Sequence, residues 1–189
     1  MLADSRKSMV LSGVPTAALV LAGSCSVTTR KQIECWQQSG RPRIHIDVLN
    51  LLHNEPREKE RLLGFMWDHT GEDLLIDSSE DIESVRTYQT DAYDVSERIE
   101  RVMRTLAVQG HKMGIRRMIV AGGETSGAVT SALGYSIYRI GQCIAPGVPV
   151  MSPLEAPDVR LVLKSGNFGQ DDFFLRALRE TGWNTDDTE

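Results

Sequence analysis

The chain has 189 residues, of which 41% are hydrophobic and 25% charged, a composition that fits one globular domain with a buried core. Its formal net charge is −5 at neutral pH, so no overall basic character favours nucleic acid or an anionic membrane surface as a partner. No run approaches the ~18 apolar residues of a membrane helix, and three scattered cysteines without metal-ligand spacing fit a reducing cytoplasm.

Apolar runs and amphipathic stretches predict strands and helices in alternation along the first half of the chain. Gly23 closes the first apolar run, and Thr29 with Gln32 has the spacing of a capping box at the start of the first helix. In chain order, the predicted elements are a strand at 17–22, a helix at 29–38, a strand at 43–48, a helix at 55–69, a strand at 73–77 and a polar loop at 78–93.

The second half of the chain continues this alternation. Asp94 and Glu97 are predicted to cap the longest helix, and the strand that follows it runs directly into Gly122. The remaining predicted elements are a strand at 116–121, a short helix at 128–133, strands at 135–144 and 159–164, and a helix at 171–181. This order predicts an α/β fold in a single domain, with a mainly parallel sheet covered by helices on both faces.

The predicted domain spans residues 17–182. Residues 1–16 are interpreted as an N-terminal segment, either a linker or an extended strand, and they lack the apolar centre of a secretory signal. Residues 183–189, polar and acidic after Trp183, are interpreted as a flexible tail at the end of the chain.

Three of the predicted strands end in loops of small, flexible and hydroxyl-bearing residues. These loops are Gly-Ser-Cys-Ser-Val-Thr-Thr at 23–29, Gly-Gly-Glu-Thr-Ser-Gly at 122–127 and Lys-Ser-Gly-Asn-Phe-Gly at 164–169. Glycine lets backbone N–H groups approach a ligand, hydroxyl groups donate to phosphate oxygens, and a helix N-terminus adds partial positive charge. Because ligands bind at the carboxyl ends of parallel strands, the three loops are expected to gather at one sheet edge and cradle a polyphosphate.

Each loop alone is more simply explained as a tight turn followed by a helix cap, and it is the occurrence of three that favours binding. The chain contains no Gly-x-x-x-x-Gly-Lys-Ser/Thr motif and no Gly-x-Gly-x-x-Gly after its first strand, which argues against a common P-loop or a dinucleotide site. Residues 123–127 only half match the Gly-x-Ser-x-Gly elbow of serine hydrolases, because Ser126 stands directly before the closing glycine.

At these loops the sequence resembles the four-carbon acid sugar kinases, in their carboxyl-terminal nucleotide-binding domain. The matching motifs, in chain order, are Gly-Ser-Cys-Ser at 23–26 with Thr29 and Gln32, Gly-Gly-Glu-Thr-Ser-Gly at 122–127 with Ala-Leu-Gly at 132–134, Pro-Gly-Val-Pro at 146–149, and Lys-Ser-Gly-Asn-Phe-Gly at 164–169. Four motifs in the order of the family make a specific match, which extends over about 17–177.

This resemblance implies ATP and Mg²⁺ as cofactors, and phosphorylation of a terminal hydroxyl group on a tetronate-type acid such as threonate, erythronate or a 3-oxo-tetronate. It places the contacts to ATP in the three loops. Carried over by motif, the candidate nucleotide-binding residues are Ser24, Ser26, Gly122, Gly123, Glu124, Thr125, Ser165, Gly166 and Asn167. No catalytic residue and no metal centre built from protein ligands is assigned.

Two charged residues within the motifs have two interpretations each. Glu124 either helps to hold Mg²⁺ through water or caps the helix that follows it. Lys164 either pairs with a phosphate group as a point charge or ends its strand as a solvated side chain. The sequence leaves both alternatives open.

Members of the family carry a separate amino-terminal sugar-binding domain with an Asp-Asp motif, and no equivalent is found in this sequence. The expectation is therefore a kinase nucleotide domain that is inactive alone, because phosphoryl transfer needs a positioned acceptor and a group that takes its proton. One alternative is a stand-alone nucleotide or phosphate-binding module without catalysis, and another is an interaction protein that has lost ligand binding. The expected partners are a nucleotide and a sugar acid, without nucleic acid or membrane, and a homodimer is one candidate assembly in the cytoplasm.

Overall fold

A computed structural model of the protein describes residues 17–79 and 92–182. The predicted N-terminal segment 1–16 and the predicted tail 183–189 lie outside these residues, as does most of the predicted loop at 78–93. The domain boundaries at both ends therefore stay predictions. No helix of the described ranges is both long and apolar enough to cross a membrane.

Strands and helices alternate through most of the described chain, as predicted. The strands are β1 (Ala18–Ala22), β2 (Arg43–His45), β3 (Leu74–Asp77), β4 (Arg117–Ala121), β5 (Tyr138–Ala145), β6 (Val148–Pro153) and β7 (Arg160–Lys164). The helices are α1 (Val27–Gln38), α2 (Val48–His53), α3 (Glu55–Asp68), α4 (Ala92–Lys112), α5 (Gly123–Leu133) and α6 (Phe173–Glu180).

The strands of the described chain form a 7-stranded sheet in the order β2-β3-β1-β4-β7-β6-β5. Neighbouring strands from β2 to β7 in this order pair in parallel. β6 pairs antiparallel with β7, and β5 pairs antiparallel with β6, so that β5 and β6 form a hairpin at one edge. The register pairs Leu19 of β1 with Leu74 of β3 and with Met118 of β4. The predicted α/β fold with a mainly parallel sheet is confirmed.

Each face of the sheet carries its own hydrophobic core, because successive side chains of a strand point to opposite faces. On one face, Leu21 of β1 belongs to a cluster with residues of α3, α4 and α5, among them Val102. On the other face, Val20 belongs to a cluster with residues of α1 and α6, among them Trp36 and Phe174. The predicted cover of helices on both faces is confirmed, and it explains why β1 and β4 are buried along their whole length and are apolar at every position except Arg117.

Two element boundaries in the first half of the chain differ from the prediction, because capping residues set where the helices begin. α1 begins earlier than predicted, since the N-cap is Ser26, whose Oγ accepts a hydrogen bond from the Thr29 N–H at 3.1 Å. The predicted strand at 43–48 is too long, and α2 was missed. Asp47 is the N-cap of α2 and accepts from the Asn50 N–H at 2.9 Å, which ends the extended backbone there.

Three further differences lie in the second half. Asp94 lies inside α4 and is not its N-cap. α5 begins at Gly123 instead of at 128, so the glycine-rich motif forms the first helical turn. β6 was missed because its prolines suggested a connecting loop, yet Pro149 and Pro153 lie outside the segment of β6 that pairs with β7.

Candidate functional site

The loops that follow β1, β4 and β7 lie side by side, because these strands are neighbours in the sheet. Backbone hydrogen bonds continue past the strand ends and hold the loops together. Gly23 N–H donates to Ala121 O at 2.9 Å, and Gly122 N–H donates to Lys164 O at 2.9 Å. The prediction that the three loops gather at one edge of the sheet is confirmed.

A cavity of about 480 Å³ opens where these loops meet. It is within the size range of small-molecule sites, roughly 300–1,000 Å³. Of the predicted nucleotide-binding residues, those that line it are Ser24, Gly122, Gly123, Glu124, Thr125 and Gly166. Ser26, Ser165 and Asn167 are not among its lining residues. The structure therefore brings most of the predicted set together around one space, and their role in binding stays a prediction.

The N-terminus of α5 presents backbone donors at this cavity. Gly122 is the N-cap, with φ of 122° and no side-chain capping bond. The first bond within the helix runs from Ser126 N–H to Gly122 O, so helix geometry leaves the N–H groups of Gly123, Glu124 and Thr125 without an intrahelical partner. Such donors, together with the helix dipole, are the arrangement that binds phosphate groups in many proteins.

The loop after β7 is held from behind by side chains of α1. Ser26 Oγ and Thr29 Oγ1 donate to Gly166 O at 2.7 Å and 3.0 Å. Gln32 Nε2, further along the same helix, donates to Phe168 O at 3.0 Å. We call Ser26, Thr29 and Gln32 the α1 brace. Ser26 was predicted to contact ATP, but the structure places it as a helix cap and as part of this brace.

Glycine is needed at position 166 because the loops touch there. A Cβ added to Gly166 would overlap Ser24 Oγ and lie 3.0 Å from the side chain of Ser26. Ser24 Oγ in turn accepts a hydrogen bond from the Ser26 N–H at 3.2 Å. The first and third loops are therefore packed directly on each other, with Ser24 and Gly166 on the side of the cavity.

Of the two interpretations of Lys164, the structure decides one, and its pairing with a phosphate group stays a prediction. Lys164 is only 2% exposed, so the interpretation as a solvated strand end is wrong. Its Nζ donates to Thr29 Oγ1 at 3.1 Å, to Gly166 O at 3.1 Å and to Ser165 O at 3.3 Å, and the residue does not line the cavity. The ammonium group lies beneath the loop, and burial lowers the pKa of Lys164 to about 8.

An apolar wall completes the cavity on the side of two helices. It consists of Val48 from α2 and of Val95 and Ile99 from α4. These residues were not predicted for the site, because no helix was predicted at α2 and the predicted ligand contacts all lay in the three loops. Cys25, Ser78 and Ser96 also line the cavity. Ser78 follows the carboxyl end of β3, and the strand-end rule applied to every strand would have found it.

Two carboxylate groups line the cavity, from Glu100 of α4 and from Glu124 of α5. Glu124 lies in the first turn of α5, whose N-cap is Gly122, so the alternative that Glu124 caps a helix beginning at 128 is wrong. Its charge is favourable near the helix N-terminus. No cluster of three or more His, Cys, Asp or Glu side chains that could hold a metal occurs in the described part of the chain. Because Mg²⁺ is commonly held by one or two carboxylates and substrate phosphates, Glu100 and Glu124 suit a nucleotide-bound ion.

A buried carboxylate next to the cavity was also missed by the sequence analysis. Asp77 ends β3 directly before Ser78, is fully buried, and accepts hydrogen bonds from Arg43 Nε at 2.7 Å. His45 Nδ1 lies 2.8 Å from its Oδ1. Burial by itself would raise the pKa of Asp77, but the contacts with His45 and Arg43 outweigh it and hold that pKa below its usual value. This cluster ties β2 to β3 at the sheet edge that carries the site.

Comparison with protein families agrees with this geometry. The family model described as "Nucleotide-binding C-terminal domain" matches residues 19–174, which covers all three loops and the lining of the cavity. The chain belongs to the four-carbon acid sugar kinase family, as its carboxyl-terminal nucleotide-binding domain. The resemblance that the motifs indicated is confirmed.

Curated relatives are named 3-oxo-tetronate kinase. The protein from Cupriavidus necator is 43% identical over 166 residues, which cover 87% of this chain and 38% of that protein. The protein from Salmonella typhimurium is 41% identical over 168 residues, which cover 86% of this chain and 40% of that protein. The chain thus spans about two fifths of the length of the curated relatives it matches.

Solved structures share the fold. A protein from Haemophilus influenzae, assigned to the family DUF1537, matches with a TM-score of 0.82 and 34% identity, over 89% of this chain and 42% of its own. A protein from Salmonella typhimurium, described as a putative tRNA synthase, matches with a TM-score of 0.79 and 40% identity, over 89% of this chain and 42% of its own. The domain architecture described above is therefore that of the family.

Proposed function

We propose that this chain is the nucleotide-binding part of a kinase that transfers the γ-phosphoryl group of ATP to a terminal hydroxyl group of a four-carbon sugar acid. A 3-oxo-tetronate is the leading substrate, because the curated relatives carry that name, and threonate and erythronate are the alternatives. The observation that carries the proposal is the N-terminus of α5, which lines a cavity together with Ser24 and Gly166 from the neighbouring loops.

The two sides of the cavity suit the two ends of a nucleotide. The α5 N-terminus supplies backbone donors for the phosphate groups, and the apolar wall supplies a surface for the nucleobase. When bound, Mg²⁺ would neutralise charge on the phosphates, and Glu100 and Glu124 are the residues placed to hold it, directly or through water. This division of the cavity explains how an acidic chain of net charge −5 binds an anion without a basic patch.

Phosphoryl transfer asks little covalent chemistry of a protein, since catalysis comes from positioning and from stabilising charge. The backbone donors of α5 would fix the phosphates and stabilise the charge that develops on them. We propose that the sugar acid, and the group that takes its hydroxyl proton, belong to the part of the family's proteins that lies outside the matched segment. On this proposal the chain alone binds nucleotide but does not phosphorylate sugar acids.

The cytoplasm is the compartment that we propose for this reaction. In the described part of the chain, Cys35 and Cys143 carry free thiols, which suits a reducing environment.

Calorimetric titration with Mg·ATP, Mg·ADP and Mg·GTP tests the proposal, together with an assay of ADP release over a panel of four-carbon acids. We expect binding of the adenine nucleotides, no turnover by the chain alone, and turnover when the amino-terminal domain of a related kinase is added. Binding without turnover in either case would favour the stand-alone binding module. No heat with any nucleotide up to millimolar concentration would contradict the proposed function.

A further inference from the structure

Lys164 is a buried charge whose surroundings provide hydrogen bonds but no counter-charge. Its ammonium group donates to the Thr29 hydroxyl and to Gly166 O, each at 3.1 Å. It also lies 5.8 Å and 5.9 Å from the ring centres of Phe173 and Phe174, within cation–π range. Removing a charge from water costs free energy unless an opposite charge offsets the loss. A neutral side chain would occupy this buried position at a lower cost in folding free energy, which indicates a role for the charge other than stabilising the fold.

The elements packed around Lys164 offer neutral groups to it. α1 contributes a hydroxyl group, the loop after β7 contributes carbonyl oxygens, and α6 contributes phenyl rings. The carboxylates that precede α6, Asp171 and Asp172, are exposed, and Asp172 lies 4.0 Å from Arg179. Among the described residues, no ion pair to Lys164 is present, and burial is the one cause that lowers its pKa, to about 8.

We propose that Lys164 is a positioning residue of the site, and that the phosphate of a nucleotide in the cavity supplies the counter-charge that the protein itself lacks. This inference rests on the proposed nucleotide function. The ammonium group and the ligand would lie on opposite sides of one backbone segment, because Gly166 lines the cavity while its carbonyl oxygen accepts from Lys164.

The peptide group between Gly166 and Asn167 lies between the ammonium group of Lys164 and the proposed position of the phosphate. Its carbonyl oxygen accepts from Ser26, Thr29 and Lys164 on the buried side. Because the peptide is trans, the N–H of Asn167 points away from that oxygen and from the buried cluster. Three donors on one carbonyl group, one of them charged, polarise the peptide and strengthen its N–H as a donor to an anion. Asn167, one of the predicted binding residues, would then act through its backbone.

An anion bound on the cavity side of this loop stabilises the charged form of Lys164 and raises its pKa. Nucleotide binding is therefore coupled to proton uptake at pH values above the pKa of the free protein, about 8. By linkage, the affinity for nucleotide falls as the pH rises through this range. The ligand does not titrate there, because its terminal phosphate has a pKa of about 6.

Titration with ADP at a fixed Mg²⁺ concentration, in two buffers of different ionisation enthalpy, measures both quantities. We expect fractional proton uptake near about pH 8.5, and an affinity that falls roughly tenfold from about pH 7.5 to 9.5. Lys164→Met should lose the proton uptake and bind ADP roughly tenfold more weakly, while thermal unfolding shows a fold at least as stable as the native one. Thr29→Val is the comparison variant. It removes a neutral donor to Gly166 O and one acceptor of the Lys164 ammonium group, but it keeps the charge, so it should retain proton uptake.

Two results would overturn the inference while the proposed function stands. One is a native protein that binds ADP without proton uptake and with constant affinity over this pH range. The other is a folded Lys164→Met variant that binds ADP as the native protein does. A native protein that binds no ADP at all overturns the proposed function and this inference together. The native measurement requires no variant, so it decides the matter even if Lys164→Met does not fold.

Discussion

Two glycine loops of the site differ in which of their backbone groups the protein itself binds. After β4, the backbone at Gly122 turns with φ of 122° and leaves the donors of the α5 N-terminus directed at the cavity. After β7, the carbonyl oxygen of Gly166 is bound by several donors and the loop is held from behind. The first loop therefore offers helix N-terminal donors that the fold leaves open, whereas the second offers a backbone segment that the fold already holds in place from its carbonyl side.

Gly122→Val should distort the loop after β4 and have the largest effect on stability and on ADP binding. A side chain at a φ of 122° is strained, and its Cβ would lie 3.2 Å from Thr125 Oγ1 and 3.3 Å from Ser24 N. We expect a loss of about 1–3 kcal/mol in the free energy of unfolding and loss of measurable ADP binding.

Gly123→Ala is the control for this strain. Gly123 has no positive φ, and no atom lies within 4 Å of an added Cβ. Its free energy of unfolding should stay within about 0.5 kcal/mol of the native value in denaturant titrations. Native affinity for ADP in Gly122→Val would show that the α5 N-terminus is not the anion site.

Raising the pH above about 8 should increase the free energy of unfolding, because the ammonium group of Lys164 is buried beneath the loop after β7. The pKa of Lys164 is about 8 in the folded protein, against 10.5 for an unperturbed lysine side chain, so between these pH values the unfolded chain binds more protons. Stability therefore rises with pH in this window, by about 1–2 kcal/mol from about pH 8 to 9.5. Urea unfolding of the native protein and of Lys164→Met measures the difference. An equal pH dependence in both proteins would contradict the assigned burial of the charge.

Thr29→Val should weaken the α1 brace by a smaller amount. The variant removes a hydrogen bond to Gly166 O and an acceptor of the Lys164 ammonium group, at a cost of about 1–2 kcal/mol. Amide hydrogen exchange should accelerate at 165–168 and stay unchanged in the first turn of α5. Thr28→Val, at the neighbouring position on α1, is the matched control and should leave exchange in both loops unchanged.

Glu124→Gln should have the smallest effect on stability, and it tests whether the loop after β4 helps to hold Mg²⁺. Its free energy of unfolding should change by less than about 0.5 kcal/mol, because Glu124 is exposed. The Mg²⁺ concentration needed for tight ADP binding should increase several-fold, as expected when one carboxylate is removed from an ion held mainly by phosphates. Glu100→Gln tests the second carboxylate in the same titration. An unchanged Mg²⁺ requirement in both variants would exclude these residues from the ion site.

The elements predicted correctly from the sequence are those whose local residue pattern is compatible with one structure only. Buried strands such as β1 and β4 were predicted within a residue, because their apolar runs end at glycine. The glycine and hydroxyl motifs located the loops for the same reason. Placing the loops at one edge needed only the rule for parallel sheets.

Other features depend on contacts between distant segments, which no local pattern shows. The buried position of Lys164 depends on α1 and α6, which pack over the end of β7. The roles of Ser26 and Gln32 depend on carbonyl groups more than a hundred residues away along the chain. The apolar wall includes Val48, which was predicted as the last residue of a strand but begins the helix that Asp47 caps.

Amide hydrogen exchange with and without Mg·ADP tests most directly the claim that the two loops bind nucleotide together. We expect slower exchange at Gly123, Glu124 and Thr125 and at Asn167 when ADP is bound, with little change in the β5–β6 hairpin. Protection that is absent from both loops at saturating ADP, or that appears only at other parts of the chain, would contradict it.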